Sequence, residues 1–394
     1  MGSQQYPTDY NRREFLRRAG LTGFLVLTPS ALLKACGVAE TDPAAEETPS
    51  GTPDAGESVQ LGFVGWEGYD GTPAAAFPAF AAWREENGVT LSSTYIADNP
   101  EMLTKIQSSP AGTYDLTTPY HGDVPIMVGA GALEPINTSD LANWSAIPEY
   151  FRNQDFLLGE DGSVVAVPFT FSHNVALYNA DNVEPLQSYS QILEDGFQGR
   201  FAISASIQQF VWIAQYLGLG NPYPTLLTRD ELAQCQPIAR EMYAKARTVT
   251  DNFGDLLPLL VGNEVDYAWE GTADQVAAGQ AEGANIQMFV PEEGARVFVD
   301  CYSIPAGSDN ADVAHAWIDA ALSPEVQAEL AQVYGGAAVN LDAVPLLPDD
   351  LRSRFDYENL EDMFERLPIL PPIPVESDEF TTYDEWVQAH QEVL

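Results

Sequence analysis

Basic residues are scarce in this chain of 394 residues. Lysine and arginine together number 17 and aspartate and glutamate number 58, so the formal net charge is −41 at pH 7. A surface this negative repels phosphate backbones, which argues against nucleic acid as a partner. The acidity would draw cations toward a cleft, but its general spread favours adaptation to a salty environment, where ions screen the self-repulsion.

Cysteine is also scarce, with three in the whole chain. Three cysteines cannot build a framework of disulfide bridges, and Cys36 has a separate explanation given below. Cys235 and Cys301 lie far apart in the sequence. We expect both to be free and buried.

The usual catalytic and metal-binding motifs are missing. None of the four histidines lies in an H-E-x-x-H pair, and neither G-x-S-x-G nor G-x-G-x-x-G occurs. These absences argue against an enzyme and predict no cofactor. A ferric carrier would use adjacent tyrosines, but the chain has no Tyr-Tyr pair and only His121 with Asp123 as a local cluster. Iron is therefore a remote alternative.

Residues 1–36 have the order of an export signal. The pair Arg12-Arg13 is followed by Phe15-Leu16 and then by an apolar stretch over residues 21–33. This stretch is too short to span a bilayer, which needs about 20 residues. A basic start before a short apolar core is typical of a signal peptide, and the arginine pair resembles the twin-arginine export signal. We expect a periplasmic or outer-surface protein.

A lipid anchor is predicted at the end of that signal. The run Leu33-Lys34-Ala35-Cys36-Gly37 resembles a lipoprotein cleavage box, in which Cys36 is acylated. Residues 37–57 are rich in Pro, Ala, Glu, Thr and Gly, a composition typical of a disordered tether. Such a tether would span about 25 Å. The lipid would be the only contact with the membrane.

The remainder alternates short apolar strands with helices. Strands are predicted at 60–64, 89–96, 114–118, 265–269 and 286–290, and helices at 74–87, from Asn99, from Thr228, at 273–282 and from Ser323 to Gly335. Thr228 and Glu231 have the spacing of a capping box. This alternation predicts α/β architecture with mainly parallel sheets.

Seven short blocks stand out along the chain: Gly65-Trp66-Glu67-Gly68-Tyr69, Ser93-Thr94-Tyr95 with Asn99-Pro100-Glu101-Met102, Tyr114-Asp115-Leu116, Val167-Pro168-Phe169 with Tyr178-Asn179, Tyr267-Ala268-Trp269-Glu270-Gly271, Pro291-Glu292-Glu293-Gly294, and Val299-Asp300-Cys301-Tyr302-Ser303-Ile304-Pro305. In order and spacing, these blocks resemble the bacterial periplasmic spermidine/putrescine-binding proteins of ABC importers. The similarity covers roughly residues 59–345.

This resemblance implies the two-lobed periplasmic-binding-protein fold of type II, a monomer with a ligand cleft between two α/β lobes. One lobe would combine residues 58–168 with 299–340, and the other 169–298 with 341–394. The partners implied are a small cationic solute and the permease subunits of an ABC importer, which recognise the closed form.

The matched positions carry the residue types that bind an organic cation. A buried ammonium needs a carboxylate and further acceptors, and its methylenes need apolar or aromatic walls. The candidates are the aromatic residues Trp66, Tyr69, Trp269 and Phe298, the acids Asp300, Glu270 and Glu67, and the loop residues Tyr120, His121 and Asp123. Asp300 matches an acid of the family and is the first choice for the ammonium. Trp66 and Trp269 are expected on loops.

The sequence also departs from the family where a second amine would bind. Acids are replaced there by the neutral run 204–209, which leaves Gln208 as the candidate contact, and a late tyrosine is replaced in the run 335–337. The ligand is therefore either a shorter or singly charged amine, or a polyamine held by relocated acids such as Asp123 and Glu67. Thiamine, a betaine-type compound or an amino-acid derivative remains open, because aromatic rings bind quaternary amines equally well.

Overall fold

The computed structural model describes residues 58–394. The predicted signal, the lipid site Cys36 and the tether lie outside the described residues. Within residues 58–394, no helix is both long and apolar enough to cross a membrane.

The first sheet is wholly parallel and has three strands. Strand β1 (Val59–Gly65) lies between β2 (Val89–Tyr95) and β3 (Leu116–Thr117). Buried Leu61 and Phe63 belong to a core cluster on which the surrounding helices pack. The α-helices of this part of the chain are α1 (Pro78–Glu86), α2 (Asn99–Ser108), α3 (Val124–Gly129) and α4 (Glu149–Arg152). Helix α2 packs in a separate cluster through Met102.

Two of these helices differ at their N-terminal ends from the prediction. Helix α1 begins at Pro78, four residues later than predicted, with the proline in its first turn. In α2 the cap is Asp98, whose carboxylate accepts the backbone N–H of Glu101, and not Asn99 as predicted. The predicted helices exist in both places because the first-turn prolines and apolar spacing are present.

The second sheet has seven strands and is mixed. The long strand β4 (Val167–Asn179) pairs antiparallel with four others, whereas β5 pairs parallel with β6 and β7. The remaining elements before residue 303 are β5 (Phe201–Ser204), α5 (Gln209–Leu217), α6 (Arg229–Lys245), β6 (Thr248–Thr250), α7 (Leu256–Val261), β7 (Tyr267–Gly271), α8 (Ala273–Ala281), β8 (Ile286–Phe289) and β9 (Arg296–Tyr302).

The C-terminal part adds helices to both cores. Its elements are α9 (Ala311–Ala321), α10 (Pro324–Tyr334), β10 (Ala337–Ala338), α11 (Asp349–Arg352), α12 (Leu360–Arg366) and α13 (Tyr383–Gln391). Short 3-10 helices of the described chain lie at Thr138–Asp140, Trp144–Ala146, Asp155–Leu157, Tyr189–Leu193, Asp195–Phe197, Phe253–Asp255 and Leu341–Leu346. This alternation of strands and helices confirms the predicted α/β class.

Strand β4 joins separate hydrophobic cores. Phe169 and Phe171 belong to the core of the first sheet, whereas Ala176 belongs to a core around Trp212 and Trp269. Because one continuous strand contributes to both cores, it carries the chain from one body of packed side chains to the other. Strand β9 runs beside it, paired over most of its length.

The segment after residue 340 is divided between these cores, contrary to the expectation that 341–394 packs with the second lobe. Phe355 and Phe364 contact Phe171 in the first core, at ring-centroid distances of 5.3 and 5.4 Å. From Leu370 onward the buried residues join the second core, where Trp386 packs on Phe210. Because Phe355 and Phe364 pack against Phe171, the chain passes from the first core to the second near residue 369.

Local signals at other helix ends are confirmed. Thr228 and Glu231 form the predicted capping box at the start of α6. Helix α10 ends at Gly335, whose φ of 63° is readily adopted only by glycine. Cys235 and Cys301 are free and buried, as predicted.

Candidate functional site

The paired crossing strands present one row of side chains on a common face. Thr170, Ser172 and Asn174 of β4 lie opposite Asp300, Phe298 and Arg296 of β9. Side chains alternate along a strand, so these six share a face. Val297 and Val299, between them, are fully buried on the other face. The row therefore runs from an acidic end at Asp300 to a basic end at Arg296.

Asp300 is the centre of the acidic end. Its side chain is buried, and its Oδ2 accepts a hydrogen bond of 2.7 Å from the Tyr69 hydroxyl. The pKa of Asp300 is raised to about 7, mainly by burial; the hydrogen bond from Tyr69 opposes the shift, and the charge of Asp274 adds to it. A carboxylate in this setting is costly to ionise unless a cation neutralises it.

Tyr69 is held over Asp300 by other aromatic residues. Its ring makes edge contacts with Phe169 and Tyr334, at centroid distances of 4.9 and 4.6 Å. The Tyr302 hydroxyl donates to the backbone carbonyl of Tyr69. Tyr334 ends helix α10 and was not among the predicted site residues, although it directly precedes the run in which a tyrosine was judged missing. It supplies an aromatic side chain there from one position earlier.

Asp123 is a second acid at this end. Its Oδ2 is enclosed and has no hydrogen-bond partner within the described residues. Burial raises the pKa of Asp123 to about 7, with smaller contributions in the same direction from Asp300 and Asp98. The charge of Asp300 therefore makes Asp123 harder to ionise, and a cation near both carboxyl groups would relieve the burial cost and this repulsion.

A cavity of about 160 Å³ adjoins Asp123. Its walls include Met102, Met127, Asn99 and the ring of Tyr383 from helix α13. The side chains from α2 and α3 thus meet an aromatic ring from the C-terminal helix. The cavity combines apolar walls with one carboxylate, a combination suited to an alkyl ammonium group.

Trp66 stands beside this cavity on the loop after β1, as predicted. Its indole N–H donates to Asn99 Oδ1 over 3.0 Å, and the ring is half-buried. Glu67, the next residue, is exposed.

The basic end consists of a buried ion pair that the sequence interpretation missed. Arg296 Nη2 lies 2.9 Å from Glu270 Oε1, and the two side chains are only 5% and 7% exposed. Arg296 Nη1 donates to Gln208 Oε1. Glu270 and Gln208, both predicted to contact the ligand, are therefore engaged by an arginine that was not predicted.

Glu270 also has other partners. Oε1 accepts from Asn174 over 3.2 Å, and Oε2 accepts from the Ser204 hydroxyl over 2.7 Å and from Gln209 over 3.5 Å. Together with Arg296, these donors occupy both oxygens of the carboxylate. A signal for Arg296 existed in the sequence, because an arginine is unusual in a chain so poor in basic residues.

Tyr120 connects the two ends. It forms a backbone bridge with Asp300, and burial raises its pKa to about 12. Arg296 opposes that shift, while Asp123, Asp300 and Glu270 add to it. The charges of Asp123 and Asp300 and those of the Arg296–Glu270 pair therefore all influence the pKa of the Tyr120 hydroxyl.

His121 has a structural role, because both nitrogens of its ring bond to backbone groups. Its buried ring accepts the backbone N–H of Val299 at Nδ1 and donates from Nε2 to the carbonyl of Leu370. Burial lowers the pKa of His121 to about 4, so the ring is neutral. Both nitrogens are used to hold the loop before α3 against β9 and the C-terminal segment. Within residues 58–394, no group of three or more His, Cys, Asp or Glu side chains is arranged to hold a metal ion.

The predicted loop position of Trp269 is wrong. Trp269 lies inside strand β7, is fully buried, and packs on Tyr189 at a centroid distance of 5.2 Å. Alternation along the strand directs it into the second core while its neighbour Glu270 is directed to Arg296. Phe298, by contrast, is half-buried on the common face with Asp300. The structure thus brings Asp300, Tyr69, Tyr120 and Asp123 together, and it separates Trp269 from them.

Comparisons with known proteins agree with this architecture. The model of the family of bacterial extracellular solute-binding proteins matches residues 78–354. The spermidine/putrescine-binding periplasmic protein of Escherichia coli is 25% identical over 300 residues, which cover 75% of this chain and 82% of that protein.

Solved structures show the same fold. A putative spermidine/putrescine ABC transporter protein from Listeria monocytogenes superposes with a TM-score of 0.69 at 20% identity, covering 85% of this chain and 97% of that one. A lipoprotein of Treponema pallidum superposes with a TM-score of 0.63 at 20% identity, covering 85% and 98%.

Proposed function

Because the chain belongs to the family of bacterial extracellular solute-binding proteins, we propose that it captures a small organic amine and delivers it to an ABC importer. The amine's ammonium group would bind between Asp300 and Asp123, under the ring of Tyr69. Putrescine and spermidine are the first amines to consider, since relatives of this chain are named for binding them.

The observation that carries this proposal is a pair of acids, the buried Asp300 and the half-buried Asp123. Asp123 Oδ2 has no partner within the described residues, and the pKa of each carboxyl group is raised to about 7. A buried charge left without a counter-charge is strongly unfavourable, and an ammonium group is a counter-charge of matching size. The apolar cavity beside Asp123 would receive the methylene groups.

Ligand capture would proceed by closure of two lobes about β4 and β9. The division expected from the sequence, 58–168 with 299–340 against 169–298 with 341–394, is refined here by moving 341–369 to the first lobe. The packing of Phe355 and Phe364 on Phe171 supports that transfer. Two neighbouring strands that cross between cores are a suitable hinge, because small dihedral changes in them rotate one body against the other.

We further propose export and anchoring through the N-terminal region. Cleavage before Cys36 and acylation of that cysteine would leave residues 37–57 as a tether. The fold shared with a lipoprotein supports this arrangement, and the arginine pair supports the twin-arginine route. Mass spectrometry of the N-terminal peptide from membrane-extracted protein should show an acylated Cys36, and an intact N-terminus in the soluble fraction would contradict it.

Calorimetric titration tests the amine site. The mature protein is titrated with putrescine, spermidine, spermine, butylamine and γ-aminobutyrate, and at least one should bind. In Asp300→Asn, affinity for every amine that binds should fall by roughly 100-fold or more, because the buried ammonium loses its charged partner. The exposed Asp309→Asn is the matched control and should bind normally. Absence of binding by all five amines would rule out the proposal.

A quaternary amine is a second candidate, favoured by the aromatic residues Tyr69, Tyr334 and Tyr383 at the acidic end. Thiamine and betaine-type compounds belong to this class. Mass spectrometry of the ligand released from gently purified protein would distinguish it from a primary amine.

A further inference from the structure

The basic end of the cleft contains an arginine that the amine site does not use. Arg296 is four residues from Asp300 on the same face of β9, which corresponds to roughly 13 Å between their Cα atoms. The charges of both side chains shift the pKa of Tyr120. The common face of β9 therefore leads from Asp300 to Arg296.

Glu270 does not offer a free carboxylate to a second ammonium. Its oxygens already accept from Arg296, Asn174, Ser204 and Gln209. A new cation would have to displace one of these donors while lying close to a guanidinium of the same charge. Such like-charge proximity in a desolvated cleft is costly.

Arg296, in contrast, has hydrogen-bonding capacity left. Its enclosed Nε–H has no partner within the described residues, although the side chain is 5% exposed. A buried donor without an acceptor is unfavourable, and a ligand oxygen would satisfy it. Because the donor is charged, a carboxylate oxygen would form a charge-assisted hydrogen bond with this Nε–H, which is stronger than a bond to a neutral acceptor.

We propose that the ligand is zwitterionic, an amine of the amino-acid type whose ammonium binds at Asp300 and whose carboxylate binds at Arg296. This inference depends on the proposed function for the site that binds the ammonium group. It adds a second site, at Arg296, for the carboxylate at the opposite end of the ligand. The Arg296–Glu270 pair then selects against diamines of equal length, because their second ammonium faces the guanidinium.

Matched ligands of two lengths test the charge at the far end. The four-carbon set is γ-aminobutyrate, putrescine and butylamine, and the six-carbon set is ε-aminocaproate, hexamethylenediamine and hexylamine. In at least one set, the zwitterion should bind about tenfold or more tightly than the diamine, with the neutral-ended monoamine between them. A diamine that binds as tightly as the zwitterion in both sets would overturn the inference.

Variants separate this inference from the proposed function. Arg296→Gln alone leaves Glu270 buried without its counter-charge and can impair folding, so the double variant Arg296→Gln with Glu270→Gln is measured as well. The readout is the ratio of zwitterion to diamine affinity, which a general loss of stability does not change. The ratio should fall about tenfold or more in the double variant.

The variant Asp300→Asn tests the ammonium end of the ligand separately. It should weaken zwitterion, diamine and monoamine together, because all three place an ammonium at Asp300. If Asp300→Asn weakens all three compounds while the zwitterion-to-diamine affinity ratio is unchanged in the double variant, the amine site is supported and the carboxylate site is ruled out. If none of the six compounds binds, both the amine site and the carboxylate site are ruled out.

Discussion

At the scale of single residues, the central feature is the pair of acids at the proposed amine site, whose ionisation would be coupled to binding. Asp300 is buried, Asp123 is half-buried with its Oδ2 enclosed, and the charge of Asp300 raises the pKa of Asp123. Each folded-state pKa of about 7 lies above the usual value near 3.9 for aspartate. Their contribution to stability is therefore greatest at low pH and is lost as the pH rises toward about 7 in the unliganded protein.

Amine binding should strengthen as the pH rises. A carboxyl group with a pKa of about 7 is ionised to about one tenth at pH 6 and about nine tenths at pH 8. If one carboxylate must be charged, affinity increases about tenfold over this range, and binding near pH 6 releases protons. Calorimetry in two buffers of different ionisation enthalpy measures both effects. An affinity that does not change with pH would contradict the assignment.

Binding is a better readout of these acids than stability, because buried histidines act in the opposite direction. Burial lowers the pKa of His121 and of His173 to about 4. These groups bind fewer protons in the folded state, so their contribution is present above about pH 6.5 and is lost as the pH falls toward the folded pKa of about 4. The two effects overlap between about pH 4 and 6.5.

At the scale of elements, the strands that meet at the cleft are closely packed. Gly271 ends β7 and lies opposite Val175 across an irregularity in the β4–β7 pairing. A Cβ atom at this position would overlap the side chain of Leu177. The glycine therefore allows β7 to approach β4 next to the Arg296–Glu270 pair.

Gly271→Ala should lower the free energy of unfolding by about 1–3 kcal/mol, because an added methyl group overpacks the interface with Leu177. Urea unfolding followed by tryptophan fluorescence measures the change. Gly196→Ala is the matched control, since Gly196 is exposed and a methyl group added there would have no neighbouring atom within 4 Å. Equal stability of the two variants would show that β4 and β7 can separate without cost.

At the scale of the whole molecule, the excess of acids is the dominant property. The net charge is −41, and the few basic groups are used in specific pairs such as Arg229 with Glu385 and Arg200 with Asp266. These pairs are partly exposed and contribute little individually. Self-repulsion among the remaining acids opposes the compact state.

Salt should therefore stabilise the protein. Raising KCl from about 0.1 M to about 2 M shortens the screening length from about 10 Å to a few Å, which weakens repulsion across the surface. The urea midpoint should rise over this range. Sucrose is the control for solvent effects that do not depend on charge, and it should reproduce only part of the increase. A midpoint that falls or stays constant in KCl would contradict salt adaptation.

The amino-acid sequence by itself determined the α/β class, about half of the strands and fewer than half of the helices, the capping box at Thr228, and Asp300 as a candidate for the acidic centre. These features depend on local rules of periodicity, capping and residue chemistry. Tertiary structure decided which side chains meet. Tyr69 and Asp300 are 231 positions apart and Arg296 and Glu270 are 26 apart, so neither pair is a local pattern.

Tertiary structure also decides that the side chain of Trp269 faces the core, because strand register determines which of two neighbouring residues does so. A one-residue difference in register exchanges Trp269 and Glu270 between core and cleft. Local sequence contains both residues, and only the packing of β7 between β4 and β5 selects the one that reaches Arg296.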